Sequence, residues 1–440
     1  MDSKNNPKTI QAWAMFDWAN SAYNLVITST IFPAYYTAIT ITKDNKDMVT
    51  FLGHRFVNTA LLDYVIAAAY MVVVLLLPIL TSVADYKGNK KSYMQLFTWL
   101  GGLACCGLFF FKLDTLTLGM VCFALAAIGY CSGAVFYNSY LPQIASIDRQ
   151  DGVSAKGFTY GYIGSVLLQI ICFVFVLSPD TFGITDPSLP ARLSFLLVGL
   201  WWLGFAQIPF FKLPKGEPNQ TKVQQNVISG GFKELGRVWR NMKSMPFLQR
   251  YLTAFFFYSM GVQTVMLVAT GFAAKELHLK DTQLIATILI IQLVAIGGAA
   301  LMSKLSSIYG NIKVLIGVVF IWIGVCIAAY FTQTATQFYL VAVVVGLVMG
   351  GIQSLSRSTY SKFLPENITD TAAYFSFYDV TEKLAIVIGL FTFGFVESLT
   401  HSMRNSALVL TIFFILGLVL LFSLLGKQKK QAEVSELSAV

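Results

Sequence analysis

The chain has little charge and few residues from which a catalytic or metal centre is built. Charged residues make up 12% of its 440 residues, against about 25% in a soluble domain. It has three histidines and six cysteines, with no Cys-x-x-Cys pair that would suggest a metal site. It also lacks the Gly-x-x-x-x-Gly-Lys-Ser/Thr loop that binds nucleotide phosphates. These absences argue against an enzyme, a metal site and a nucleotide-driven pump, and we expect no cofactor.

Long apolar runs dominate what is present, and hydrophobic residues make up 56% of the chain. A helix needs about 20 mostly apolar residues to cross a bilayer. Twelve runs of this kind occur, at 13–36, 59–81, 93–111, 116–138, 157–177, 192–211, 250–273, 283–303, 312–331, 337–357, 373–396 and 405–425. The sequence therefore predicts an all-α multi-pass membrane protein with twelve transmembrane helices. We expect no cleavable signal peptide, because the first run contains Asp17 and no small-residue cleavage site follows it.

Lysine and arginine are concentrated on one side of these predicted spans. The tails and even-numbered loops carry 22 of them, and the odd-numbered loops carry 8. The positive-inside rule then places both termini in the cytoplasm, and we expect the protein in the plasma or bacterial inner membrane. The net charge of +9 is explained by this bias and by attraction to anionic lipids, without a nucleic-acid partner.

A polar stretch, 212–249, divides the spans into six and six. Within it, "GGFKELGRVWRN" has the spacing of a short amphipathic helix at the membrane surface. The loop "ADYKGNKK" after span 2 is similar to "SSIYGNIK" after span 8, at an offset of 222 residues. We therefore predict two six-helix bundles, 1–211 and 250–425, followed by a disordered cytoplasmic tail, 426–440. This is the plan of major facilitator transporters, whose substrate site lies between the halves near mid-membrane.

Polar residues form a stripe on the first span. Asp17, Asn20 and Asn24 are spaced i, i+3 and i+7, which places them on one helical face, and Tyr23 lies beside it. A carboxylate in lipid costs several kcal/mol, so we expect this face to line a cavity. The alternative is a structural stripe that only hydrogen-bonds neighbouring helices. The predicted substrate-binding residues are Asp17, Asn20, Tyr23, Asn24, Gln263 and Gln353.

Uphill transport needs an ion gradient, and a carboxylate in the cavity can carry a coupled proton. Asp17 is the first candidate and Glu382 the second, since neither has an evident partner on its own helix. Asp379 and Lys383 are i,i+4 neighbours with the acid first, and we predict a structural ion pair that keeps Asp379 charged. The alternative is a uniporter, in which Asp17 binds only a substrate amine.

The string "FDWANSAY" at 16–23 resembles the signature of the vacuole-effluxer-like branch of the major facilitator superfamily. The strings "YNSYLPQIA", "GVQTV", "LSRSTYSKFLPE" and "FSFYDVTEK" resemble further segments of that branch. The resemblance implies alternating-access export of small polar metabolites, in particular amino acids. A sugar or peptide permease and a non-transporting membrane sensor stay open as alternatives. The family's usual Tyr-Asn-Asp is Tyr258-Ser259-Met260 here, so a carboxylate on span 7 is missing.

The loop after span 2, "TSVADYKGNKK", resembles the superfamily's gating motif through Asp85, Gly88 and Lys90. The resemblance implies that Asp85 latches the cytoplasmic gate by facing the positive N-terminal end of helix 11, around residues 372–376. We expect a monomer whose partners are a small-molecule substrate, the coupled proton and the bilayer.

Overall fold

The computed structural model describes residues 4–41, 47–215, 227–365, 368 and 370–438. The α-helices are α1 (Pro7–Ala22), α2 (Phe32–Thr40), α3 (Asn58–Lys87), α4 (Lys90–Gly107), α5 (Leu116–Asn138), α6 (Leu141–Ile144), α7 (Gln150–Leu177), α8 (Leu189–Phe205), α9 (Gln207–Lys212), α10 (Val227–Lys243), α11 (Pro246–Leu277), α12 (Asp281–Tyr309), α13 (Asn311–Phe331), α14 (Ala335–Lys362), α15 (Thr371–Thr400) and α16 (Met403–Ser438). Strands β1 (Met48–Phe51) and β2 (His54–Val57) form an antiparallel hairpin. Short 3₁₀ segments cover Leu108–Phe110, Leu113–Thr115, Ile147–Arg149 and Pro179–Phe182.

Among the described residues, eleven helical segments are long and apolar enough to cross a membrane, and they match predicted spans 2 to 12. The first predicted span has a different form. It is a continuous helical path in which α1 passes into a π-helix, Tyr23–Ile31, and then into α2. The predicted all-α multi-pass organisation is therefore confirmed, and its first span is less regular than the apolar pattern suggests.

The π-helix is a widened turn whose carbonyl groups accept side-chain hydrogen bonds. The Ser29 hydroxyl donates to the Asn24 carbonyl at 2.9 Å, and the Thr30 hydroxyl donates to the Leu25 carbonyl at 2.8 Å. Both reach back five residues, the same spacing as the backbone hydrogen bonds that define a π-helix. Thr30 Oγ1 also lies 2.7 Å from Oε1 of Gln169, so the widened turn contacts α7.

Contacts among residues divide the chain into two compact units. Unit 1 is Met1–Tyr140, Tyr160–Leu235 and Thr369–Ser376, and unit 2 is Leu141–Thr159, Gly236–Ile368 and Phe377–Val440. These limits differ from the predicted bundle boundaries at 211 and 250. Each unit contains a short segment from the other half of the sequence, and the division falls inside α10. The reason is that polar side chains bind the first turns of α7 and α15, which an apolar pattern does not reveal.

The linker and the tail also differ in part from the prediction. The amphipathic helix is present as α10, where Val238 and Met242 are buried and Trp239 lies 5.6 Å from the ring of Phe377. Linker residues 216–226 and tail residues 439–440 lie outside the described residues. From 426 to Ser438 the predicted disordered tail is instead helical, as the end of α16. Lys, Gln, Ala, Glu and Leu dominate that segment, and all are strong helix formers.

Glycines set the closest helix packing in unit 2. A Cβ at Gly298 of α12 would collide with the Leu347 carbonyl oxygen of α14, and one at Gly346 would lie 2.6 Å from the Ile291 carbonyl oxygen. Real Cβ atoms do not approach so closely, so α12 and α14 touch backbone to backbone. Small residues permit this kind of approach between transmembrane helices.

This contact predicts a difference between two adjacent glycines. Gly298→Ala should destabilise the protein by about 1–3 kcal/mol, the usual cost of overpacking. Gly297→Ala is the matched control, because a Cβ there meets nothing within 4 Å. Thermal unfolding of the purified variants in detergent measures both effects. Equal midpoints for the two variants would contradict the backbone contact.

Candidate functional site

The signature string holds α1 against the end of α5. The Tyr137 hydroxyl donates to Asp17 Oδ2 at 2.7 Å, and both side chains are buried. The rings of Trp13 and Phe16 stack on Tyr137 with centroids 4.3 Å and 4.8 Å away. The indole of Trp13 also donates to the Tyr137 carbonyl at 3.0 Å. Asp17 therefore has a phenolic donor from another helix, which the polar stripe alone does not reveal.

The next residues of the string pack against α7 and α8. A Cβ at Gly161 would lie 2.5 Å from Ser21 Oγ, and one at Gly164 would lie 2.7 Å from the Trp18 carbonyl. Trp18 also stacks on Trp201, whose indole donates to the Trp18 carbonyl at 3.1 Å. These contacts place side chains that neighbour the stripe at helix–helix packing surfaces, which supports a structural role for this part of α1.

The other predicted polar residues of span 1 differ in exposure. Asn20 is 2% exposed, and its Oδ1 has no hydrogen-bond partner within the described part of the chain. Tyr23 is buried against the rings of Tyr130 and Trp202, at 5.1 Å and 5.9 Å. Asn24 is exposed. The stripe thus runs from a buried, bonded carboxylate to an exposed amide.

A second polar cluster lies on α15 and contains both signs of charge. Lys383 Nζ is 3.4 Å from Asp379 Oδ1 and 3.2 Å from Glu382 Oε2. From α11, Gln263 Nε2 donates to Glu382 Oε1 at 2.9 Å. The predicted Asp379–Lys383 pair is present, but the expectation that Glu382 lacks a partner on its own helix is wrong. The adjacent Lys383 extends far enough to reach both carboxylates. We call Gln263, Asp379, Glu382 and Lys383 the α15 cluster.

The α15 cluster has one more acid than base. Asp379 is 7% exposed and Lys383 8%, while the Glu382 side chain is 24% exposed. Asp379 Oδ2 is buried and has no hydrogen-bond partner among the described residues. With every group ionised, these three side chains total −1. A net charge inside a membrane protein costs several kcal/mol, so the cluster is suited to accept a proton or a substrate cation.

Tyrosines and a serine join α11 to α14 next to this cluster. The Tyr258 and Ser356 hydroxyls are 2.7 Å apart, and Tyr251 donates to the Ser356 carbonyl at 2.9 Å. Tyr258 lies in the segment where the resemblance implies a carboxylate that this chain lacks. Gln263, five residues further on, is the α11 residue that binds Glu382, so an amide from this helix contacts the acid. Gln353 is half-buried on α14.

The predicted gating residues surround the first turn of α15. Asp85 Oδ2 accepts a hydrogen bond from the Ala373 backbone amide at 2.7 Å. Lys90 Nζ donates to the Thr371 hydroxyl at 3.3 Å and lies 4.1 Å from the ring centroid of Tyr140. The predicted position of Asp85 at this helix start is confirmed. A carboxylate on the N-terminal amide of a helix also interacts favourably with the helix dipole.

Gly88 provides the turn that brings Asp85 and Lys90 to the same helix start. It ends α3 in the left-handed region, with φ of 67°, and its amide bonds back to the carbonyls of Ala84 and Asp85. Glycine adopts this conformation without the penalty that a Cβ brings. The short turn then lets α4 begin two residues later, at Lys90.

Unit 2 contains a counterpart of this arrangement, and the sequence analysis does not predict it. Asp151, near the start of α7, accepts from Lys362 Nζ at 2.6 Å, from Ser306 Oγ at 2.9 Å and from Asn311 Nδ2 at 2.7 Å. Asp151 precedes Ala373 by 222 residues, which is the offset of the internal duplication. In unit 1 the acid, Asp85, lies in the last turn of α3 and binds the start of α15, whereas in unit 2 the acid belongs to the helix start itself. The 222-residue offset is the signal that would have located Asp151.

Arg357 strengthens the same attachment in unit 2. It is 3% exposed, and it donates to Ser154 Oγ at 2.9 Å and to the Ser154 carbonyl at 2.8 Å. Its guanidinium lies 4.3 Å from the ring centroid of Phe158. A residue that the charge pattern assigns to a loop is therefore a buried anchor for the first turns of α7.

Comparison with known proteins gives consistent similarities. The family model described as "Vacuole effluxer Atg22 like" matches residues 5–434. An uncharacterized MFS-type transporter, YxiO, of Bacillus subtilis (strain 168) is 30% identical over 420 residues, covering 95% of each chain. Autophagy-related protein 22 of Yarrowia lipolytica is 28% identical over 334 residues, covering 68% of this chain and 55% of the relative.

The comparison with solved structures concerns the fold. The crystal structure of a major facilitator superfamily transporter, FucP, in the outward conformation matches with a TM-score of 0.68 and 16% identity, covering 96% of this chain and 99% of that one. The human organic anion transporter MFSD10 matches with a TM-score of 0.72 and 11% identity, covering 95% and 100%. The predicted major facilitator fold is therefore confirmed.

The Tyr137–Asp17 bond predicts energetic coupling between the two side chains. Tyr137→Phe should cost about 1–3 kcal/mol, because it removes a donor from a buried carboxylate. Combined with Asp17→Asn, the losses should be non-additive by about 0.5–3 kcal/mol. Tyr140→Phe is the control, since Tyr140 is buried three residues away and donates to the Pro214 carbonyl instead. Additive losses for Asp17 and Tyr137, measured by thermal unfolding, would contradict the coupling.

Proposed function

The chain belongs to the vacuole effluxer Atg22-like family, and from that premise we propose that it exports small polar metabolites, amino acids first among them. It is a multi-pass membrane transporter of the major facilitator type. The α15 cluster is the observation that carries the choice of substrate. The direction of transport follows the family's description as effluxers, and alternating access is the mechanism associated with this fold.

The chemistry of the α15 cluster favours a zwitterion over a neutral solute. An α-amino acid carries an ammonium and a carboxylate on adjacent carbons. Glu382 and Lys383 offer the complementary charges on adjacent residues, and Glu382 is the more exposed of the two. A sugar or peptide permease and a membrane sensor remain the alternatives. A sugar has no charge to match this cluster, so the buried charges support an amino acid more directly.

We place the protein in the cell membrane, with both termini in the cytoplasm, because of the distribution of lysine and arginine. Transport is proposed to be coupled to a proton, with a monomer as the working unit. Asp17, already bonded to Tyr137, is a weaker candidate for this coupling than a carboxylate of the α15 cluster, because a proton on Asp17 Oδ2 would disturb that bond.

The two acid-bound helix starts are proposed to be the latches of the cytoplasmic gate. Asp85 binds the first turn of α15, and Asp151 joins the first turn of α7 to Lys362. In an alternating-access cycle these helix starts must leave their partners when the cytoplasmic side opens. Both acids are buried, but Asp151 forms an ion pair with Lys362 whereas Asp85 caps a helix start, so we rank the Asp151 latch as the stronger.

A ligand screen tests the proposed substrate class. Purified protein is heated with amino acids, sugars and short peptides, because a ligand at 100 times its Kd adds about 2.7 kcal/mol of stability. We expect amino acids to raise the melting temperature of the wild type and to lose this effect in Lys383→Met. Stabilisation by sugars alone would contradict the proposal. Absence of amino-acid flux in reconstituted vesicles would favour the sensor.

The latches predict local opening of two different helix starts. Asp85→Asn should speed amide hydrogen exchange at 371–376 by up to about thirtyfold, since a helix-terminus interaction away from the surface is worth up to about 2 kcal/mol and Asp85 is buried. Asp151→Asn should speed exchange at 150–159 by more than about a hundredfold, because breaking a buried ion pair costs about 3–5 kcal/mol. Hydrogen exchange read by mass spectrometry measures both.

Asp148→Asn is the matched control, because Asp148 is an exposed acid three residues before Asp151. It should leave exchange at both segments unchanged. Unchanged exchange in the Asp85 and Asp151 variants would count against both latches. A larger effect for Asp85 than for Asp151 would contradict their proposed ranking.

A further inference from the structure

We infer that Asp379 carries the coupled proton and that Lys383 moves between Asp379 and Glu382 as proton and substrate exchange. This inference rests on the proposed function, and it revises the sequence-based ranking, in which Asp379 is only half of a structural ion pair. One ammonium lies within 3.4 Å of one carboxylate and 3.2 Å of the other. The lysine therefore interacts with both carboxylates and not with one of them alone.

The hydrogen-bond partners of the two acids separate their roles. Glu382 has both oxygens engaged, Oε1 by Gln263 and Oε2 by Lys383. Asp379 has Oδ1 engaged by Lys383, while Oδ2 is buried without a hydrogen-bond partner in the described part of the chain. A proton on Asp379 Oδ2 breaks none of these bonds, whereas a proton on Glu382 replaces an accepted hydrogen bond. The proton is thus better placed on Asp379.

The other charged and titratable groups around Asp379 are few. Lys383 and Glu382 are the charged groups that act on it from α15. Its neighbour Tyr378 is within electrostatic reach of Arg357 on α14 and Tyr258 on α11. Arg357 is bonded to Ser154 and Tyr258 to Ser356. The charge balance at Asp379 is therefore set chiefly by its two neighbours on the same helix.

The greater exposure of Glu382 indicates that the substrate binds to this acid. The side chain of Glu382 is 24% exposed and that of Asp379 10%. A substrate ammonium therefore meets Glu382 first and competes there with Lys383. Once displaced from Glu382, Lys383 pairs with Asp379 and with the substrate carboxylate, and the proton on Asp379 leaves to water. When Asp379 is protonated again, Lys383 returns to Glu382 and the substrate is released.

This exchange leaves each carboxylate of the cluster paired in both states. With Asp379 protonated, Glu382 and Lys383 balance each other. With substrate bound, Asp379 pairs with Lys383 and Glu382 pairs with the substrate ammonium, while Lys383 also faces the substrate's own carboxylate. The bare cluster, with two carboxylates and one lysine, is the costly state, because an unpaired charge inside a membrane protein is poorly solvated. The inference is thus one-for-one antiport of a proton against an amino acid.

Substrate binding tests this with L-alanine, L-glutamine and L-lysine as probes, and with propionate as the control that lacks the ammonium of alanine. Calorimetry in two buffers of different ionisation enthalpy counts the protons released. Wild type should release one proton per amino acid bound at a pH where Asp379 is protonated, and its Kd should fall up to tenfold per pH unit as pH rises. Asp379→Asn should release none and show no such pH dependence.

Infrared spectroscopy of the ligand-free protein gives a second readout that needs no substrate. The difference spectrum between acid and alkaline pH should contain the carbonyl band of a buried carboxylic acid. The band should vanish in Asp379→Asn and persist in Asp17→Asn and Glu382→Gln. Loss of the band or of proton release in Asp17→Asn, with both kept in Asp379→Asn, would overturn the inference.

The outcomes separate this inference from the proposed function. Amino-acid binding without proton release from the wild type would overturn the antiport and leave the proposed substrate class standing. If no probe binds the wild type, the proposed substrate class fails. The infrared band then still decides whether Asp379 holds the proton.

Discussion

The interaction on which this account depends is the sharing of one lysine by two carboxylates on α15. A charge in a membrane protein is tolerated only when another charge or a set of donors meets it. Lys383 meets Asp379 and Glu382 at similar distances, so the pairing is incomplete whichever acid it favours. This unmet charge distinguishes the cluster from a structural ion pair. It is also the property that a transporter needs if a proton and a substrate are to bind in turn.

The signature string on α1 serves the fold by comparison. Its acid accepts a hydrogen bond from Tyr137, its tryptophan Trp18 stacks on Trp201, and Ser21 lies where α7 has a glycine. A string can be typical of a family because helices must fit together there. The two acid-bound helix starts also serve the fold, since Asp85 and Asp151 bind the first turns of two long helices.

Much of the fold could be predicted from apolar runs, and the position of Asp85 followed from a resemblance. The partner of Asp17 could not, because Tyr137 is 120 residues away and contact between helices leaves no periodic signal. The π-helix depends on hydroxyl–carbonyl bonds that hydropathy ignores. Glu382 was expected to lack a partner because helical spacing considers i+3 and i+4 neighbours, whereas Lys383 reaches it from the next position. Asp151 could have been predicted, because the 222-residue offset of the duplication relates it to Ala373 at the start of α15.

Transport driven by a pH gradient tests the central claim most directly. Vesicles containing wild type, Asp379→Asn or Asp17→Asn are loaded with an amino acid that the wild type carries, and accumulation and counterflow exchange are compared. The account predicts that Asp379→Asn loses accumulation driven by the pH gradient while keeping exchange, and that Asp17→Asn keeps both if it folds. Accumulation by Asp379→Asn at the wild-type level would contradict the account.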